Sequence, residues 1–212
     1  ERQRPRSDVD VDWEFASRDK LAPLPKMDLA HRQEGAIMQV VASGPDVTDD
    51  DLFAGILSFI FAAKHRLWIV SPYFIPNEML NQALTIALER GVDVRVIVPE
   101  KSDQILVHLA RGQYLRDLTA LNCRVLLYTG GFLHAKAMLV DDAAVAVGSA
   151  NFDSRSMFLN FEVSSVIHSA AEVRAVEAWI DGLMLKCRPF DAVAGRRRDT
   201  LEGLARLVAP ML

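Results

Sequence analysis

One stretch constrains this chain more than any other: Phe132-Leu-His134-Ala-Lys136-Ala-Met-Leu-Val-Asp141. His134 and Lys136 stand two residues apart, so on a β-strand their side chains share one face. The apolar residues Ala137, Met138, Leu139 and Val140 then read as buried strand. A turn at Asp141-Asp142 leads into a second apolar run, Ala143 to Val147, which ends in Gly148-Ser149-Ala150-Asn151. Two strands joined by a tight turn predict a hairpin that returns Asn151 to His134 and Lys136 at one end of a sheet. An imidazole, an ammonium, a hydroxyl and an amide gathered at one point suit a phosphate ester. The imidazole can attack phosphorus or move a proton, and the other three can hold the non-bridging oxygens.

The remaining sequence supplies a sheet for that hairpin. Strands are expected at Ala36–Ala42, Leu67–Ser71, Val92–Val98, Arg124–Tyr128 and Glu162–His168. Leu67–Ser71 is an unalternating apolar run, as in a strand covered on both faces. Between them the pattern predicts helices. The first is capped by Asp46 or Thr48, runs to about Lys64, and turns Leu52, Ile56, Phe59, Ile60 and Ala63 inward. The second runs from Asn77 to Glu89 and stops at Gly91. The third is capped by Ser102 or Asp103, runs to about Leu121, and places Leu106, Leu109, Leu118 and Leu121 inward. Two more, Ala171–Lys186 and Asp199–Val208, finish the chain. The alternation implies an α/β fold, a mixed β-sheet flanked by helices on both faces, with the hairpin preventing a wholly parallel sheet.

Composition narrows the field further. A chain of 212 residues, half of them hydrophobic, can hold one large domain with a full core. The net charge of −4 gives no support to generic nucleic-acid binding, and no nucleic-acid partner is expected. Cys123 and Cys187 form no CxxC pair, which predicts free buried thiols rather than a zinc site. No apolar run reaches the roughly 18 residues of a membrane-crossing helix, and no signal peptide is visible. Residues 1–34 are charged, carry Pro5, Pro23 and Pro25, and read as a linker pinned by Trp13 and Phe15.

The spacing H-x-K-x4-D-x6-G-S-x-N is complete at His134, Lys136, Asp141, Gly148, Ser149 and Asn151, and it resembles the HKD signature of the phospholipase D superfamily. The flanks narrow the resemblance: Ser71-Pro-Tyr-Phe-Ile-Pro76, Arg90-Gly-Val-Asp-Val-Arg-Val-Ile-Val-Pro99, Lys101-Ser-Asp103, Ser149-Ala-Asn-Phe-Asp-Ser-Arg-Ser156 and Leu159-Asn-Phe-Glu162. Together they look like the C-terminal half of a bacterial cardiolipin synthase, from about Gly35 to the end. Such a resemblance implies a phospholipase D-like α/β/α layered domain over residues 35–212. It also implies a phosphatidyltransferase that makes cardiolipin from two phosphatidylglycerol molecules through a phospho-histidine, without metal or cofactor, at a membrane surface. Members of the superfamily bring two such motifs face to face. A second H-x-K is absent here, so the resemblance implies a partner: an N-terminal half carrying the other motif, or a second copy in a homodimer. The chain then reads as a soluble fragment of a longer enzyme of the bacterial inner membrane, or as a processed product. A homodimeric phosphodiesterase or nuclease, or a catalytically silent half, are the alternatives.

Roles follow residue by residue. His134 is nucleophile or acid/base partner, and Lys136, Ser149 and Asn151 hold phosphate. Glu162 is expected to fix the imidazole through its second nitrogen. The resemblance carries Asp141 with His134, Lys136 and Glu162 in the catalytic set, while its place a strand's length away reads as an anchor of the hairpin turn. Tyr73, Phe74 and Pro76 fit either a substrate cleft or the core. Arg155 can hold phosphate or pair with Asp153. Arg196-Arg-Arg198 and the amphipathic segment Leu201–Met211 fit an anionic lipid surface or ordinary docking of a terminal helix.

Overall fold

Short aliphatic runs bounded by turn residues become strands in the computed structural model, which describes residues 35–45, 50–102 and 104–192, together with Arg18 and Glu202. The chain divides into two units, Glu1–Gly35 and Ala36–Leu212, and every strand and helix described belongs to the second. The linker expected over residues 1–34, the caps Asp46, Thr48 and Asp103, Arg196–Arg198 and the helix Asp199–Val208 lie outside the described residues, Arg18 and Glu202 excepted.

In chain order the strands are β1 (Met38–Ser43), β2 (Arg66–Val70), β3 (Phe74–Ile75), β4 (Asp93–Pro99), β5 (Arg124–Tyr128), β6 (Ala137–Val140), β7 (Ala144–Gly148), β8 (Phe152–Asp153), β9 (Glu162–Ile167) and β10 (Cys187–Pro189). The helices are α1 (Asp51–Ala62), α2 (Glu78–Glu89), α3 (Ile105–Ala120), α4 (Ser154–Phe158) and α5 (Ala170–Met184). Eight strands form one sheet in the order β1-β9-β7-β6-β2-β4-β5-β10. Only β2-β4-β5 are parallel neighbours; the other pairs are antiparallel, so the sheet is mixed.

Alternation along β2 divides the core. Leu67 and Ile69 face one side with Val94, Val96 and Met138, where Ile60, Leu84 and Leu115 of α1, α2 and α3 cover them. Trp68 and Val70 face the other side with Leu139 and Val145, against Val173 and Ile180 of α5. Helices therefore cover both faces, as the apolar run of β2 predicts. Asn77 caps α2 by accepting from Leu80 N at 2.8 Å, and Gly91, at φ +82°, ends it in the left-handed conformation that glycine adopts without strain.

The inward face of α3 matches the expectation at Leu118, which is buried, and at Leu109, which packs against Tyr114, and departs from it at Leu106 and Leu121. Leu106 and Leu121 are exposed, while Val107, Ala110, Arg111, Tyr114, Leu115 and Leu118 are buried. The buried set keeps the 3.6-residue period but includes an arginine and a tyrosine, so leucine positions alone misplace part of the stripe. Three short elements also escape the sequence pattern: β10, the two-residue ladder of β3 with β8, and α4. Both cysteines are free; Cys123 is buried and Cys187, on β10, is half-buried.

Candidate active site

The motif straddles the end of the sheet. β2 stops at Val70, the partner of Ala137, just before Ser71-Pro72. Residues ahead of Ala137 therefore have a strand neighbour on one side only, where Gly148 N donates to Lys136 O at 3.3 Å. His134 and Lys136 consequently lie in the extended lead-in to β6 and not within a strand. Their side chains still meet: Lys136 Nζ is 2.8 Å from His134 Nδ1 and 3.0 Å from the His134 carbonyl oxygen. Phe132 stacks on the imidazole, with centroids 5.5 Å apart and planes 6° from parallel. Tyr73 meets it edge-on at 6.2 Å. The outer face of Phe132 is open, and the residue is 80% exposed.

At the far end of β6, the Asp141 carboxylate is turned away from His134 and engaged with the backbone at the start of β2. It accepts hydrogen bonds from Lys64 N at 3.0 Å and from His65 N and Arg66 N, both at 2.9 Å. Burial alone would raise its pKa; the three N–H groups outweigh that and hold the carboxyl below the usual carboxylate value. Asp141 also takes φ +49°, which an aspartate tolerates better than most residues. It thus fastens the β6–β7 turn to the start of β2.

Three further motif positions close the loop at the chemical end. Gly148 lets β9 approach closely: a Cβ there would strike the Val163 carbonyl and lie 2.7 Å from Ser164 Cα. Ser149 Oγ donates to Glu162 and accepts from Val163 N at 3.0 Å. Asn151 Nδ2 donates to Ser156 Oγ at 3.3 Å, and its Oδ1 is buried with no partner among the described residues. The Ser149 hydroxyl is thus engaged within the protein, whereas the Asn151 amide, with one hydrogen bond made, lines a cavity together with Lys136. Glu162 departs from expectation too. Its oxygens are taken by Ser149 Oγ and, at 3.2 Å, by Asn160 Nδ2, in place of the His134 ring. Its charge is felt instead by Lys136. Burial pushes the Lys136 ammonium below its ordinary pKa, and the Glu162 and Asp153 carboxylates pull it part of the way back.

Asp153 is a site residue that motif reading missed. It is 7% exposed, caps α4 by accepting from Ser156 N at 2.8 Å, and sits in β8 opposite Ile75. Burial pushes its carboxyl above the ordinary carboxylate range despite the Ser156 hydrogen bonds. The Asp-x-x-Ser spacing was the available signal, since it is a helix cap. Ser71 is the second: its hydroxyl donates to Tyr73 O at 2.6 Å and accepts from Phe152 N at 3.1 Å, tying the loop after β2 to the Asn151 loop. Phe74 and Pro76 are core, with Phe74 stacked on Phe152 at 5.2 Å, whereas Tyr73 reaches the histidine. Arg155 is exposed. Among the described residues, no three His, Cys, Asp or Glu side chains gather as a metal site would need.

The family profile described as "Cardiolipin synthase, PLD-like domain" matches residues 56–184, which contain all of this geometry. The chain belongs to that family. It is 40% identical over 208 residues to cardiolipin synthase A of Pseudomonas aeruginosa (strain UCBPP-PA14), covering 95% of this chain and 41% of that protein. Against the probable cardiolipin synthase YwiE of Bacillus subtilis (strain 168) it is 36% identical over 209 residues, covering 95% and 41%. The chain thus spans about two-fifths of the length of these curated relatives. Among solved structures, the phospholipase D family member Nuc from Salmonella typhimurium superposes with a TM-score of 0.62 at 22% identity, over 74% of this chain and 99% of that one. Phosphatidylserine synthase of Haemophilus influenzae Rd KW20 gives 0.67 at 18% identity, over 82% and 48%. These two likenesses establish the phospholipase D-like layered fold.

Proposed function

We propose that this chain is the C-terminal catalytic half of a cardiolipin synthase that transfers a phosphatidyl group from one phosphatidylglycerol to another. The observation that carries the reading is the Lys136 ammonium held 2.8 Å from the His134 imidazole at the open end of the sheet, inside the segment matched by the family. In the first step an imidazole nitrogen attacks phosphorus, and the bond to the leaving glycerol oxygen breaks as a second histidine protonates it. In the second step that histidine takes the proton of an incoming headgroup hydroxyl, whose oxygen displaces the phospho-histidine. Lys136 supplies charge to the non-bridging oxygens throughout. Glu162 acts through Lys136, and Ser149 and the Asn151 amide, which lines a cavity beside Lys136, are the further hydrogen-bonding groups for the phosphate.

His134 fills one of the two imidazole roles. The other histidine comes from an N-terminal half bearing the second motif, or from a second copy. Residues 35–212 form the phospholipase D-like domain in this account and residues 1–34 the linker to the rest. Catalysis takes place at the bacterial inner (cytoplasmic) membrane, where the lipid substrate resides. Among the described residues no helix is long and apolar enough to cross that membrane. Incubating the full-length protein with labelled phosphatidylglycerol tests the proposal: cardiolipin and free glycerol are expected. Phosphatidic acid alone would assign a hydrolase, and plasmid cleavage in place of lipid turnover would assign a nuclease.

A further inference from the structure

The Asn151 amide is bonded to the protein by the end an anion would want. One N–H of Nδ2 is spent on Ser156 Oγ at 3.3 Å, while Oδ1 is buried with no hydrogen-bond partner among the described residues. A phosphate oxygen accepts and does not donate, so the better arrangement is the reverse, with Oδ1 paired inside the protein and both N–H groups free. An unpaired buried amide oxygen is also costly in itself. The cause lies one step further back. Ser156 is fully buried and Asp153 is 7% exposed. Ser156 N donates to Asp153 Oδ1 at 2.8 Å, and the Ser156 hydroxyl hydrogen-bonds the same carboxylate. An ionised carboxylate can only accept, so the Ser156 hydrogen points at Asp153 and its oxygen is left to accept from Asn151. The charge on Asp153 thus sets the polarity of the whole chain of bonds.

One proton, taken from solvent, reverses that polarity. A neutral Asp153 carboxyl donates to Ser156 Oγ, Ser156 donates onward to Asn151 Oδ1, and a half-turn of the amide releases Nδ2. Asn151 lines its cavity together with Lys136, so the freed N–H groups join the ammonium there. We propose that Asp153 and Ser156 are positioning residues that set, through the Asp153 proton, which end of the Asn151 amide is bonded to the protein and which is left for a phosphate group. Burial favours the neutral carboxyl, as does Glu162 at the start of β9, and the Lys136 ammonium opposes it. On the neighbouring elements, β3 carries no titratable side chain, and Asp51 of α1 and Arg155 of α4 are exposed. Tyr73 meets Phe152 N through its carbonyl, and Glu78 and Tyr114 line a cavity with Ser154. Phosphate bound beside Lys136 adds negative charge and so favours the same proton, which makes binding and proton uptake reciprocal.

NMR on the isotopically labelled 212-residue chain reads this without substrate. The Asp153 carboxyl carbon should titrate with a midpoint above the ordinary 3.8, and the Asn151 side-chain amide signals should move with the same midpoint. Ser156→Ala should leave the Asp153 titration in place and uncouple Asn151 from it, which a field acting through space would not do. Asp153→Asn keeps an oxygen to cap α4 and always offers an N–H to Ser156, so it should hold the Asn151 signals at their low-pH positions. Asn151 signals that ignore Asp153 in the wild type, or that follow it equally in Ser156→Ala, would overturn the inference. So would an Asp153 midpoint at or below 3.8. The phosphatidyl-transfer reading enters only in naming the anion. On that reading KM for phosphatidylglycerol, measured in the full-length protein, should rise about tenfold as pH passes above the Asp153 midpoint and stay flat in Asp153→Asn. An equal rise in both would contradict the proposal. A full-length protein that turns over no phosphatidylglycerol would end the transfer reading and leave the NMR result standing.

Discussion

The two ends of the β6–β7 hairpin carry the same motif and have opposite characters. At the turn, Asp141 is saturated: three backbone N–H groups and a left-handed backbone fix it to β2. At the open end, some five residues and on the order of 16 Å away along the strand, Lys136 and His134 face each other, and among the described residues no backbone donor or carboxylate locks the ring. Two aromatic rings flank the imidazole there, Phe132 stacked and Tyr73 edge-on, and burial weakens the hold of Lys136 on its proton. A six-residue signature thus mixes two kinds of constraint. Asp141 and Gly148 determine where the strands lie, and His134 and Lys136 are what those strands present.

Substitutions at the open end should break this contrast most severely. In the full-length protein His134→Ala should lower phosphatidyl transfer by at least about 10²–10⁴, the worth of a positioned acid/base group, without lowering the melting temperature. Lys136→Ala should cost about 10²–10³, through loss of charge at the phosphoryl oxygens. Rates near wild type for either variant would remove the chemistry from this end.

At the turn the expected loss is stability. Asp141→Asn should cost about 0.5–1.5 kcal/mol in denaturant unfolding, because an NH2 group replaces one of the oxygens that accept from the backbone N–H groups. The sign with pH follows from the depressed folded-state pKa. The advantage of wild type over the variant is full above the ordinary value of 3.8 and fades as pH falls through the lower folded value. An advantage that grows in acid would contradict the assignment.

The smallest effect sharpens the role of Glu162. Its carboxylate raises the Lys136 pKa, so Glu162→Gln should let that pKa fall further. The alkaline limb of the rate profile, where the ammonium is lost, should then move to lower pH. A limb that stays in place would return Glu162 to the direct partnership with His134 expected from the motif.

Much of this was legible in the sequence, for identifiable reasons. Uninterrupted runs such as Leu67–Val70 announce strands covered on both faces, and Asn77 and Gly91 mark the ends of α2 through local chemistry. The hairpin and the anchoring role of Asp141 follow from period and spacing alone. What spacing cannot convey is which of several neighbours a hydroxyl, amide or carboxylate engages. Ser149, Asn151 and Glu162 converge on the site, yet each satisfies a nearby protein group, because loops bring partners that no strand period encodes. Phe132 escaped notice for a related reason: an exposed aromatic beside a histidine gains meaning only once the two rings are seen stacked. The stripe of α3 is legible at Leu109 and Leu118 but not at Leu106 and Leu121, because buried Arg111 and Tyr114 take part of its inner face.

The division of the hairpin can be tested most directly by the transfer rate of Asp141→Asn, expressed per folded molecule. If the turn end is purely scaffold, that rate should equal wild type once the folded fraction, read from the denaturation curve under assay conditions, is accounted for. A variant that is fully folded yet turns over as poorly as His134→Ala would place chemistry at Asp141 and contradict the account.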